Sequence, residues 1–241
     1  MDKNYVDLTD TLLVHANDAD LDIFKKLNGS NLFLRDISQI RRGLPFQNKV
    51  TKTKTKYPVY RGKDISRYAL RETSEYLSAE LIDIENEKIK FLMQSKILSQ
   101  NIVAHVENPR PHIIITSTLD KKGVLNLDTV ENTVLTDNDY SLEFVTCLLN
   151  SKLISWYAYR YIFAKAIRTM HLDDYYLGKI PLPKNAKKLD EFKTLYNELE
   201  KAQKQQDTFK VEMKEYEINS LIYALYDLNK TEIYSIESDF I

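Results

Sequence analysis

One cysteine, Cys147, stands among 241 residues. It leaves no intramolecular disulfide and no cysteine-based zinc site, and such usage fits a reducing compartment. Only five glycines and six prolines occur, which excludes fibrous and linker-like classes. Gly29, Gly43, Gly62, Gly123 and Gly178 are isolated, so no glycine-rich phosphate loop exists. No apolar run approaches the ~20 residues of a bilayer span, and Met1–Asp7 lacks the shape of a signal peptide. A soluble cytoplasmic protein is therefore expected. His15, His105, His112 and His171 have no metal-ligand spacing and read as structural or surface residues. No serine sits in a nucleophile elbow. Glu191-x-Lys193 and Glu212-x-Lys214 imitate part of a nuclease motif, but they lie in a charged helical stretch without an upstream Pro-Asp. Asn108-Pro109-Arg110-Pro111 is not the Asn/Asp-Pro-Pro-aromatic tetrad of adenine N6 methyltransferases. The chain carries no recognisable catalytic or metal-binding apparatus, which argues against an enzyme in its own right.

What is present is a globular balance, 43% hydrophobic and 29% charged, with an uneven charge distribution. The net charge is −1, yet residues 1–40 hold seven acids against four basic residues. Residues 41–71 hold ten basic residues, Arg41, Arg42, Lys49, Lys52, Lys54, Lys56, Arg61, Lys63, Arg67 and Arg71, against the single acid Asp64. A solvated face is the blandest account of a charge run, but a net +9 over 31 residues in a near-neutral chain attracts a polyanion by counterion release. A membrane surface would ask for an amphipathic helix. Thr51-Lys52-Thr53-Lys54-Thr55-Lys56 instead alternates with period two, which predicts an exposed strand with all three lysines on one face and favours nucleic acid. A second basic region holds Lys152, Arg160, Lys165, Arg168 and His171, with no acid over 151–171. Its aromatics Trp156, Tyr157, Tyr159, Tyr161 and Phe163 read as packing for a helix.

Along the chain, residues 19–28 predict a short helix ended by Asn28-Gly29, with a boundary near residue 30. Tyr57–Tyr60 reads as a strand entering a turn at Arg61-Gly62-Lys63; Lys96–Leu98, Asn101–Ala104 and His112–Thr116 read as further strands. Helical spacing takes over at 141–163, and the prolines of Leu177–Pro183 enforce an extended piece. Residues 186–217 contain seven basic residues, eight acids and no Gly or Pro, predicting one exposed helix of roughly 45 Å. Phe192, Leu195, Leu199, Ala202, Gln206, Phe209, Met213 and Tyr216 form its coiled-coil-like seam, in which only Gln206 is a misfit. Its partner helix comes from the C-terminus of the chain, a second copy, or a missing part of a longer polypeptide. A coiled-coil interaction or scaffold protein with a nonspecific nucleic-acid-binding patch is the alternative function.

Several stretches together resemble a known family. Leu34–Gly43 (LRDISQIRRG) resembles the opening of target recognition domains in restriction–modification specificity subunits. Pro58–Tyr68 (PVYRGKDISRY) is similar to the R-G-x-D-I-x-R-Y segment of type IIG restriction enzyme–methyltransferases. Lys96–Ile102, Leu148–Tyr157 and Leu177–Pro183 follow in the order of the TaqI-like C-terminal specificity domain, and Glu217–Leu228 looks like its closing helix. Asn219 and Asp227 stand there for a usual Asp and Gly. The resemblance covers roughly residues 30–235. It implies an α+β fold with a twisted, mostly β target-recognition core and a few helices, followed by a long coiled-coil-like helix and a short closing helix. The expected division is an N-terminal linker and short helix (1–30), a DNA target recognition domain (31–184), and a helical spacer or dimerisation region (185–241). The implied partners are double-stranded DNA and a methyltransferase/endonuclease domain or subunit, with a homodimer through 186–217 open. S-adenosylmethionine and Mg2+ belong to that catalytic part, not to this chain. The chain reads as a fragment of a longer enzyme or as a split recognition subunit.

Expected DNA contacts follow from side-chain chemistry. Lys49, Lys52, Lys54 and Lys56 are flexible point charges suited to phosphates, or solubilising lysines on an edge strand. Arg41 and Arg42 are placed to reach a groove, with Gly43 allowing close backbone approach or merely serving a turn. Arg61 is a candidate for a bidentate guanine contact. Pairing among Arg61, Asp64 and Arg67 is the structural rival, and the family's retention of this turn favours structure or phosphate contact for Arg61, Lys63 and Arg67. The resemblance puts the loop before Leu177–Pro183 on the DNA side, which singles out Lys165 and Arg168.

Overall fold

The computed structural model describes residues 18–184, 186 and 189–241. The acidic stretch with Leu8, Leu12, Leu13 and His15 lies outside them, as do Lys187 and Lys188 of the expected long helix.

The class is α+β. Alternating and β-branched segments build the central sheet: Ser38–Arg42 (β1), Lys96–Gln100 (β6), Ser117–Asp120 (β10) and Val130–Leu135 (β12) pair antiparallel in the order β1-β12-β6-β10. A second sheet runs β11-β2-β5, with Tyr57–Tyr60 (β2), Tyr76–Leu77 (β5) and Leu125–Asn126 (β11). Three two-stranded ribbons join Ile65–Ser66 (β3) to Ala69–Leu70 (β4), Ile102–Val103 (β7) to Met170–His171 (β13), and His105–Val106 (β8) to His112–Ile113 (β9). Two apolar cores result. The smaller gathers Leu44, Val59, Leu77, Phe91, Leu92 and Leu125 beneath the second sheet. The larger joins Ile97 and Leu119 of the central sheet to the helices.

Those helices start where short polar side chains cap them. Asn86 accepts from the Lys88 amide at Glu87–Leu92 (α3), and Ser141 from Phe144 at Leu142–Asn150 (α4). Ser151 accepts from Ile154 at Lys152–Tyr157 (α5), and Asp173 from Tyr176 at Asp174–Leu177 (α6). Asn229 and Glu232 form a reciprocal capping box at Lys230–Glu237 (α9). Asp18–Asn28 (α1), the helix predicted to end at Asn28-Gly29, buries Leu21, Ile23, Phe24 and Leu27; Leu34–Ile37 (α2) leads into β1. A π-helical turn, Ala158–Ile162, follows α5. Trp156, Tyr157, Tyr159 and Tyr161 are all buried here, as expected for packing residues, and Phe24 stacks on Tyr157 and meets Tyr161 at a tilt.

Two expectations are corrected. The single helix over 186–217 is a hairpin of Asp190–Lys204 (α7) and Thr208–Leu225 (α8). Gln206, the misfit of the seam, takes a left-handed backbone (φ 56°), and Asp207 caps α8 by accepting from the Lys210 amide. The reversal splits the seam. Phe192, Leu199 and Ala202 are buried in the main core, while Phe209 and Tyr216 remain 72% and 74% exposed. The partner helix of α7 is thus α8 of the same chain. The Thr-Lys alternation is not a strand either: beyond a bridge at Thr51 it is irregular, because Thr55 donates its hydroxyl hydrogen to the Leu77 carbonyl and Thr51 accepts from the Thr53 amide. Lys52, Lys54 and Lys56 are nonetheless all exposed.

Candidate nucleic-acid interface

Strand alternation separates the two arginines at the end of β1. Arg41 lies with its guanidinium 4.6 Å over the Phe91 ring of α3. Arg42 stands opposite Glu131 in the β1–β12 register. Its Nε donates to the Asp128 carbonyl and lies 3.9 Å from Glu131 Oε1, and its Nη2 reaches Asn101 Oδ1 at 3.5 Å. Half of the Arg42 side chain stays exposed. Gly43 does approach a backbone closely, but one of its own chain: a Cβ there would lie 2.2 Å from the Leu127 carbonyl oxygen.

From Arg42 a hydrogen-bonded line runs to Arg61 and Lys63 of the same basic stretch. Asp128 accepts from Gln47, Gln47 accepts from Arg61, and Arg61 donates to Glu75, which also lies 3.7 Å from Lys63. Lys52 sits beside it on Ser74. Burial raises the Glu75 pKa, but the Arg61 hydrogen bond and the charges of Arg61, Lys63 and Lys52 outweigh that and hold it below the usual carboxylate range. In the other direction the line passes from Arg42 to the buried Asn101, whose Oδ1 meets His171 Nδ1 at 2.6 Å and whose amide donates to Glu131 at 2.9 Å. Arg42, Arg61, Lys63 and His171 therefore share one continuous polar network. Lys49 lies over the Phe46 ring at 5.0 Å, two residues from Gln47, and Lys56 over the Tyr57 ring at 4.8 Å.

Other expected contacts are directed elsewhere. Arg61 does pair internally, though its carboxylate is Glu75; Asp64 instead accepts from the Arg61 backbone amide and shapes the turn. Arg67 turns to the helical hairpin, 2.9 Å from Glu215 of α8. Lys152 pairs with Glu237, and Arg160 with Asp239 at 2.8 Å and Asp20 at 3.4 Å. Lys165 is half-buried in a left-handed conformation (φ 56°); burial, with the charge of Arg160, lowers its pKa. Arg168 is exposed in the same loop. The loop joins the polar network through His171.

Sequence reasoning missed the residues that organise this charge. Asn101, Asp128, Glu131, Gln47 and Glu75 are neutral or acidic, so a search for a basic run passes over them. Glu131 is 1% exposed, its Oε2 has no hydrogen-bond partner among the described residues, and burial pushes its pKa up to about 7 against the Asn101 hydrogen bond and Arg42. Lys88 of α3 joins the same neighbourhood, its pKa lowered by burial and by Arg41 and Arg42 against Glu131 and Asp128. Among the described residues no group of three His, Cys, Asp or Glu is placed to hold a metal ion.

A family model, the TaqI-like C-terminal specificity domain, matches residues 57–182, more than half of the chain. The chain belongs to that family. The specificity domain so defined contains β2 to α6, and with them most of the network; Arg42 and Gln47 lie just before the match. No curated protein matches the chain. Among solved structures it is similar to the S subunit of a type I restriction-modification system from M. genitalium, with 12% identity, 87% of this chain and 50% of that one covered, and a TM-score of 0.43. It is also similar to a chain from work on complex assembly and conformational transition of the type I R-M system, with 14% identity, 87% and 52% coverage, and a TM-score of 0.41. The specificity domain chain thus spans about half the length of these structures. None of its described helices is long and apolar enough to cross a membrane.

Proposed function

We propose that this specificity domain is the double-stranded DNA recognition module of a restriction–modification system, and that it directs a methyltransferase/endonuclease to its site. The observation that carries the reading is the network from Lys63 to His171, which gathers cations from distant parts of the chain along one line beside the exposed Lys52, Lys54 and Lys56. Phosphates are held by mobile lysines, while the arginines held by carboxylates and amides keep a set geometry. On this reading S-adenosylmethionine and Mg2+ are bound by the catalytic partner. We place its contact, or that of a second copy, on the outward face of α8, where Phe209, Met213 and Tyr216 are exposed.

Replacing Lys52, Lys54 and Lys56 together by Ala tests the proposal. Affinity for any duplex should fall at least about tenfold at moderate salt, and the slope of log affinity against log salt should shrink by roughly two to three, since each phosphate contact contributes about 0.9. The melting temperature should not change, because all three side chains are exposed. Unchanged affinity and slope would remove the lysines from the interface. Salt-dependent binding without any sequence preference would favour an interaction protein with a nonspecific patch.

A further inference from the structure

Arg61, the residue whose chemistry best suits a guanine on sequence grounds, is not available for one: its Nε and Nη1 are engaged by Glu75 and Gln47, and its side chain is 23% exposed. Arg42 has the opposite character. Nε is fixed on the Asp128 carbonyl and one Nη2 hydrogen is directed at Asn101, while Nη1 has no partner among the described residues and the side chain is 51% exposed. The guanidinium plane is therefore set while donors remain outward.

The anchor also orients a second side chain. Arginine only donates, so the oxygen of the Asn101 amide is the atom that faces it. The same oxygen meets His171 Nδ1 at 2.6 Å, so Nδ1 carries a hydrogen. In the neutral ring Nε2 is then an acceptor, and it has no partner among the described residues, on a residue classed as exposed. Asn101 itself is fully buried, with its amide hydrogen given to Glu131. One buried amide thus presents two arginine donors and one imidazole acceptor side by side. The major-groove edge of a G·C pair offers the complement: two acceptors on guanine, N7 and O6, and one donor, the cytosine amino group.

We propose that Arg42 and His171, seated on the buried amide of Asn101, form a paired reader of a G·C base pair. The inference rests on the DNA-recognition reading above. It makes the pair specificity-determining, with Asn101 and Glu131 as positioning residues, and leaves backbone affinity to the lysines.

The test uses the full chain. Duplexes are selected from a random pool at moderate salt with the wild-type protein, and discrimination is then measured at each position of the preferred site with Arg42→Lys and His171→Ala. The wild type should select a site containing a G·C pair at which Arg42→Lys lowers discrimination against A·T about tenfold or more. His171→Ala should lower it at the same pair. If both variants keep wild-type discrimination at every position, the pair only clamps β1, β7 and β13 together and the inference falls while the DNA-recognition reading stands. Should Arg42→Lys lower the melting temperature, His171→Ala decides, because its side chain is exposed. If the wild type selects no preferred duplex, the recognition reading itself fails and the pair reads nothing.

Discussion

A carboxylate with 1% exposure and an arginine 3.9 Å away bears both desolvation and attraction, and at Glu131 desolvation wins. Its pKa of about 7 lies above the ordinary Glu value of about 4.3, so the folded state binds a proton that the unfolded chain has released. The sign follows. The contribution of Glu131 to stability is most favourable below the unfolded pKa and declines as pH rises between the two values, by at most about 4 kcal/mol at about 1.4 kcal/mol per unit. Glu131→Gln should flatten this decline, so that the variant gains on the wild type from pH 5 to pH 8 in chemical denaturation. A constant difference across that range would show that the carboxylate does not titrate in the folded protein as described. At this scale the sequence was informative about charge and silent about partners. Arg42 was visible in Arg41-Arg42-Gly43, but no spacing announces that Glu131 stands opposite it, because cross-strand register brings together residues 89 positions apart.

The helical hairpin shows the same contrast at the level of elements. Absence of Gly and Pro over 186–217 marked helix, and a helix is there, but two residues reversed it: Gln206 in a left-handed turn and Asp207 as the cap of α8. The apolar spacing is real on both sides of the break, and only α7 uses it inward. Leu199→Ala should therefore cost about 2–5 kcal/mol. The joint replacement of Phe209, Met213 and Tyr216 by Gln should leave the melting temperature within a degree or two of wild type. Equal losses from both halves would mean that the seam is one continuous buried stripe. Further on, Asp227 takes a left-handed backbone, φ 53°, where the chain turns after α8. The threonines of 51–55 misled for a related reason. Period two marks a strand only when the backbone is free to pair, and here Thr51 and Thr55 accept from the backbone amides two residues on.

For the whole molecule, the class and the family were readable because five motifs stand in order along the chain. The arrangement of charge was not, since it depends on how the second sheet docks on the central one through Asp128 and Gln47. The proposed function depends on that arrangement, with a duplex laid along the line from Lys63 to His171 and Lys49, Lys52, Lys54 and Lys56 on its backbone. Lysine acetylation with and without duplex, read by mass spectrometry, tests this most directly. Bound DNA should protect Lys49, Lys52, Lys54, Lys56 and Lys63 and leave exposed lysines elsewhere, Lys121 and Lys201, reacting at their free rate. Protection of Lys121 and Lys201 with the first five unprotected would place the DNA on another face and contradict the account.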